Sequence, residues 1–562
     1  MEVQIIQICK KKFLVFFFFS IIISSQLICR EVNPSFSKIK QNENVKLDSF
    51  SGNYLSWLHA QRFGDLENSS TFISKLRDKT LDIKLLNQML LASLLSNKWD
   101  NSVDLSKKIL KSDHKHFFSN IILSTDSFIK NDFNLSKKYL DSITHNQIDS
   151  KFIESINYWI LFSEGRNNEL NKIFTKEEDC SPIHCLHHGI ISRLLGNKKE
   201  AKKNFDWLLD KSYKSYRVME ILLPFYIDIE SNDSVNTIIK ELQKDNYKIN
   251  KSLKANSENF RFQINNNKEG LAEVFFNISG WFYEQKLYMF SAYFGNIGLH
   301  LSPDFNALKM LLADVYQKLN IDDKALYLIS SIDKDTIYYT KTLNSKLKIL
   351  NDTGEKLKVI EILEEITKKP SALRIHKILL ADSLRSEGLY KKSLIYYNQV
   401  IEAIKNLDEK DWQVFYSRGI TNERLKNWGD AEKDFLKALQ LNPNEPYVLN
   451  YIAYSWLERN IKLDEALEFL LIAVEKEPND AYIIDSLGWA YFLLGNYEKS
   501  IDVLEYAVTL SPNDSTLNDH LGDAYWKVGR YGEAVSQWKR VLLFEPEFKN
   551  KKKVKNKIIY GI

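Results

Sequence analysis

At 562 residues the chain is longer than one ordinary hydrophobic core supports, so it is either several domains or an array that grows without thickening. Ten prolines, 19 glycines and an aromatic content of 13% exclude a turn-rich β architecture and favour long helices packed through bulky side chains. The 77 basic and 73 acidic side chains leave a formal net charge of +4, which argues against nucleic acid as a partner.

The chain opens with Lys10, Lys11 and Lys12, an apolar run from Phe13 to Ile23, then Ser24, Ser25 and Cys29, the order of a secretory signal. Three outcomes are open for residues 1–29: cleavage after Ser25, lipidation of Cys29, or retention as a short membrane anchor. Ile28 stands where a lipidation motif wants a small residue, and the apolar span is short of the roughly 20 residues that cross a bilayer. Each outcome puts the rest of the chain in the periplasm or attached to the envelope, touching membrane only through the N-terminus. Residues 30–49 read as a polar linker.

The second half repeats itself. Leu487-Gly488 and Leu521-Gly522 lie 34 residues apart, and Tyr491, Gly495, Ser500, Leu504, Ala507 and Pro512 keep step with Tyr525, Gly529, Ala534, Trp538, Val541 and Pro546. That is the tetratricopeptide period: two helices per repeat, a small residue where they cross, glycine ending the first and proline stopping the second. The register runs back through repeats starting at Arg374, Trp412, Pro446, Ala481 and Ser515, and more weakly through Ala272, Asn306 and Thr340. The faintest start near Phe50, Ile83, Phe117, Lys151, Pro182 and Tyr216, with Pro224 badly placed in a first helix.

The fold expected is therefore all-α, a superhelical solenoid of about fourteen helix-turn-helix units, the N-terminal ones divergent. Residues 50–243 form the divergent array, 244–271 an irregular linker, 272–548 the main array (clearest over 412–548) and 549–562 a basic tail.

The runs LNYIAYSW (Leu449 to Trp456), DSLGWAYFLLGNYEKS (Asp485 to Ser500) and NDHLGDAYWKVGR (Asn518 to Arg530) resemble the C-terminal signature of a family of exported bacterial tetratricopeptide proteins. SGNYLSWLHAQRFGDLENS (Ser51 to Ser69) resembles that family's N-terminal repeat. Some relatives are outer-membrane lipoproteins that act as adaptors for a carboxyl-terminal processing protease. The resemblance implies a non-catalytic adaptor of the cell envelope that presents substrates to such a protease. The alternative is a structural scaffold for envelope or polysaccharide assembly with no protease partner.

First helices line the binding face of such arrays. The register places Tyr416, Asn450, Tyr454, Asp485, Trp489, Asp519, Asp523 and Trp526 on or beside it, an aromatic and acidic surface suited to extended segments carrying basic residues. Trp456, Trp538 and Phe435 fall at packing positions.

The run CSPIHCLHH holds Cys180, His184, Cys185, His187 and His188, whose spacing matches no standard zinc module, so no metal is assigned. After export, Cys180 and Cys185 are candidates for a disulfide. The sequence contains no phosphate-binding glycine loop, metalloprotease histidine pair or serine nucleophile elbow, so neither catalytic residues nor a cofactor are expected.

Overall fold

The computed structural model describes residues 49–62, 64–76, 82–143, 149–176, 181–211, 215–244, 262–332, 338–369, 372–545 and 550–562. The signal region with Cys29 lies outside them, as does Cys180. The described residues form 29 α-helices and no strand. The chain divides into two compact units, residues 1–349 and 350–562, whereas the sequence suggests a break at 244–271.

In the N-terminal unit, α1 (Phe50–Arg62), α2 (Leu66–Leu76), α3 (Ile83–Leu95), α4 (Trp99–Leu110), α5 (Phe117–Ile129) and α6 (Phe133–Asp141) lead into α7 (Ser150–Ser163) and α8 (Asn167–Lys176). Next come α9 (Pro182–Leu194), α10 (Lys198–Asp210), α11 (Tyr216–Asp228), α12 (Asn232–Lys244), α13 (Asn267–Glu284) and α14 (Tyr288–Leu301). The unit closes with α15 (Asn306–Lys318), α16 (Asp322–Ser330) and most of α17 (Tyr339–Asp352).

The C-terminal unit holds α18 (Lys356–Thr367), α19 (Arg374–Ser386), α20 (Tyr390–Glu402), α21 (Trp412–Arg424), α22 (Trp428–Leu441) and α23 (Pro446–Glu458). It continues through α24 (Leu463–Lys476), α25 (Ala481–Leu493), α26 (Tyr497–Leu510), α27 (Ser515–Lys527), α28 (Tyr531–Phe544) and α29 (Lys551–Tyr560). The first 28 helices fall into helix pairs, which agrees with about fourteen repeats.

Local chemistry sets the helix ends. Asp82, Asp132, Asp480 and Asp514 each accept a backbone N–H of the turn they precede, and Ser181 caps α9 with Pro182 in its first turn. Between the two helices of each repeat the chain must pass through the left-handed region. Gly495 and Gly529 do so at φ 79° and 82°, and Asn97, Asn131, Asn320, Asn460, Lys286 and Lys426 do the same job without glycine's freedom. Helix α11 runs through Pro224 despite the lost N–H donor, because ten of its residues are buried and that burial outweighs one missing bond.

The repeats close on a small residue in each first helix. A Cβ on Gly488 would come 2.5 Å from Leu504, and one on Gly419 would come 2.6 Å from Phe435. At the same crossing the Ser500 hydroxyl donates to the Gly488 carbonyl at 2.8 Å, a bond repeated by Ser393 and Ala381.

Within the N-terminal unit the first helices are covered by the unit's own later helices. The Asn267 amide of α13 donates to Ser163 of α7 at 2.8 Å, and Trp159 of α7 lies over Gly270. Phe118 of α5 packs on Phe290, Tyr293 and Phe294 of α14, and Trp99 of α4 stacks on His300 at 4.2 Å. The Arg217 guanidinium of α11 donates to Glu273 of α13 at 2.6 Å with both side chains buried. These contacts cover parts of α4, α5, α7 and α11, and they join residues on both sides of 244–271 in one compact unit.

Candidate functional site

In the C-terminal unit the first helices α21, α23, α25 and α27 carry the eight residues assigned from sequence, and they separate into two groups. Tyr416, Asn450 and Tyr454 are partly exposed. Tyr416 sits among Trp412, Phe435 and Tyr451 with ring centroids about 6 Å apart, and burial pushes its hydroxyl up to about 12. Burial, then Glu458 and Asp485, also raises Tyr454, whose hydroxyl is hydrogen-bonded to Glu458, so both phenols stay protonated. The Asn450 Oδ1 is itself buried and has no hydrogen-bond partner among the described residues. Partly exposed aromatic rings with polar edges are what a polypeptide segment can pack on.

The second group is already engaged inside the chain, which revises the expectation that its carboxylates face a partner. Asp485 is 4% exposed and holds His520 Nδ1 at 2.9 Å. Trp489 stacks on that imidazole at 4.2 Å and on Phe492 at 4.6 Å. Asp519 and Asp523 each lie 2.7 Å from the buried Lys557 ammonium, and Asp523 also accepts from Trp538 Nε1 at 3.0 Å. Burial pushes Asp523 up while Lys557 pulls it down, and the net shift is upward. Trp526 packs on Tyr531 and Trp538.

Lys557 belongs to the stretch read as a basic tail, which forms α29. The spacing of Val554, Lys557, Ile558 and Gly561 is one helical face, although the lysine-rich composition of the stretch reads as a basic tail. His520 was equally unmarked, since only the fold brings it from the next repeat onto Asp485. Trp456, Phe435 and Trp538 are buried at the helix crossings, where Trp456 donates to Glu432 at 2.7 Å.

The histidines of the CSPIHCLHH run serve packing at separate places. His187 is fully buried and accepts from Trp159 Nε1 at 3.0 Å, and burial lowers it to about 3. His188 stacks on Phe174 at 3.7 Å and is lowered by burial to about 4. His184 Nε2 lies 3.3 Å from the Lys151 carbonyl oxygen. Among the described residues no group of three or more His, Cys, Asp or Glu side chains is placed to hold a metal ion. Cys185 is buried and disulfide-bonded, while Cys180, its expected partner, lies outside the described residues. No helix of the described residues is long and apolar enough to cross a membrane.

The paired helices, the left-handed turns and the small residues at the crossings define the class: an all-α solenoid of tetratricopeptide-type helix pairs. A family model of the tetratricopeptide repeat matches residues 481–514, the repeat of α25 and α26. Among curated proteins the chain is 33% identical over 125 residues to BBSome complex member BBS4 of Bos taurus, covering 22% of each chain. It is 27% identical over 118 residues to TPR repeat-containing protein PA4667 of Pseudomonas aeruginosa, covering 21% of this chain and 19% of that one. The matches therefore span about a fifth of the length of these relatives. Among solved structures it is similar to YrrB, described as a TPR protein with an unusual peptide-binding site, at 17% identity and a TM-score of 0.28, covering 35% of this chain and 98% of that one.

Proposed function

We propose that the protein is a non-catalytic adaptor of the bacterial cell envelope that holds extended segments of other proteins on the first-helix face of its C-terminal unit and presents them to a carboxyl-terminal processing protease. The observation that carries the binding step is the set Tyr416, Asn450 and Tyr454, partly exposed on successive first helices of the C-terminal unit. In the N-terminal unit the first helices α5, α7 and α11 pack against the later helices α13 and α14. Three features support the envelope setting: the signal-like order of residues 1–29, the disulfide at Cys185, of a kind that persists in oxidising compartments, and the resemblance over Leu449 to Arg530.

Crosslinked pull-down from native envelopes tests this reading, comparing the natural chain with Tyr416→Ala plus Tyr454→Ala. Recovery of a processing protease and its substrates, with the substrates lost from the double variant, is the expected result. Recovery of assembly proteins alone, unchanged by the substitutions, contradicts it and favours a structural scaffold.

A further inference from the structure

We propose that one end of the partner face is a subsite for an arginine or lysine side chain of an extended partner segment, formed by the Tyr447 and Tyr482 rings with Asp480 between them. This inference deepens the adaptor reading and rests on it, because Tyr447 shares one face of α23 with Asn450 and Tyr454, three and seven positions on.

Tyr447 and Tyr482 are the second residues of α23 and α25, so they take the same place in successive repeats. Their rings are 47% and 59% exposed, and Tyr506 of α26, 46% exposed, joins them by donating its hydroxyl to Asn479 Oδ1 at 3.2 Å. Among the described residues no other ring and no cation lies on any of the three. Carboxylates alternate with the rings. Glu477, then burial, Asp480 and Glu445, raise the Tyr447 hydroxyl, and Asp514, then burial and Asp480, raise that of Tyr482. Asp480 thus acts on both phenols, and among the described residues no lysine or arginine pairs with Glu445, Glu477, Asp480 or Asp514. The tyrosine row is confined to these two repeats, since Gln413 and Thr516 hold the same place in α21 and α27.

The unit itself shows what such a place takes. Lys462 lies over the Trp456 ring at 4.8 Å and donates to Glu432 at 2.7 Å. Arg530 lies over the Tyr525 ring at 4.1 Å with Glu505 at 3.4 Å. In each, a cation rests on a ring face with a carboxylate beside it. At Tyr447 and Tyr482 the rings and carboxylates are present and the described chain supplies no cation. An acidic segment would meet like charge there, so a basic side chain is what this end selects.

The probes are two labelled synthetic peptides, one alternating serine with arginine and one alternating serine with glutamate, titrated into the full chain by fluorescence anisotropy. The arginine peptide should bind the natural chain and the glutamate peptide should not. Tyr447→Leu plus Tyr482→Leu keeps apolar bulk but removes the rings' charge-attracting faces, and should weaken the arginine peptide about fivefold. Glu477→Gln plus Asp480→Asn should weaken it by about as much, and asparagine at 480 still caps α25, where Asp480 accepts from the Tyr482 and Ile483 N–H groups. Glu465→Gln plus Glu468→Gln, exposed on the second helix α24, should leave the titration unchanged. Equal binding of the two peptides, no loss in either pair of subsite substitutions, or an equal loss in the α24 control overturns the proposal. If partner capture still depends on Tyr416 and Tyr454 in that event, the adaptor reading stands without the subsite. Arginine binding that needs the subsite, together with capture indifferent to Tyr416 and Tyr454, supports the subsite and removes the adaptor reading, which keeps the two failures apart.

Discussion

His520 of α27 stands 2.9 Å from Asp485 of α25, an imidazole and a carboxylate from successive repeats, both buried. Burial acts to lower the imidazole, but Asp485, then Asp519 and Asp523, overcome it, so the net shift is above the usual 6.5. A raised histidine stabilises the fold fully below its unfolded pKa, and that contribution is lost as pH rises through the folded value. The C-terminal unit should therefore lose stability above pH 6.5 in a way that His520→Gln abolishes, as read from thermal melts between pH 6 and 9. Asp485→Ala, which leaves the imidazole without its partner, should cost about 3 kcal/mol at pH 6.

The N-terminal unit should respond in the opposite direction. His187 and His188 are held neutral by burial, at about 3 and about 4, so acid favours the unfolded chain, whose histidines protonate near 6.5. Their cost grows as pH falls below 6.5 and levels off below the folded values. At pH 5 the burden from His187 is roughly 2 kcal/mol. His188→Gln should flatten part of the acid slope of this unit's unfolding, measured by denaturant melts from pH 7 to 4.5. An unchanged slope would show that the imidazole protonates without opening the fold.

Gly522 and Trp538 define the tightest crossing of the last repeat. A Cβ on Gly522 would lie 2.5 Å from the indole nitrogen, and Trp538 cannot retreat because it is fully buried and held by Asp523. Gly522→Ala should destabilise the C-terminal unit by about 1–3 kcal/mol in a urea melt.

Gly270 plays the same part in the N-terminal unit. A Cβ there would lie 2.0 Å from Trp159, whose ring is fully buried and bonded to His187. Gly270→Ala should lower the unfolding transition of the N-terminal unit, by about 1–3 kcal/mol, and leave the transition of the C-terminal unit unchanged. Equal shifts in both transitions would contradict a local effect at the Gly270 and Trp159 crossing.

The repeats were legible wherever their punctuation was conventional. Gly495 and Gly529 announce the turn between paired helices, and Pro512 and Pro546 announce the end of the second. In the divergent repeats the same turn is made by Asn97, Asn131 and Glu230, residues that occur everywhere in this composition and so carry little signal, although they adopt positive φ at the same place. Which residues fall on first helices was legible too, because register alone assigns them. The pairing of Asp485 with His520 and of Asp519 and Asp523 with Lys557 was not, since those bonds join residues 34 to 38 positions apart through tertiary packing. The covering of parts of α4, α5, α7 and α11 by α13 and α14 is likewise invisible to periodicity, which describes each repeat and not what lies on it.

Site-specific photocrosslinking in the native envelope tests the central claim most directly, with a photoreactive residue at Tyr454 in one chain and at the buried second-helix residue Phe294 in another. Discrete adducts with other proteins from position 454, and none from position 294, are the predicted result. Adducts from position 294 with none from position 454 would contradict it.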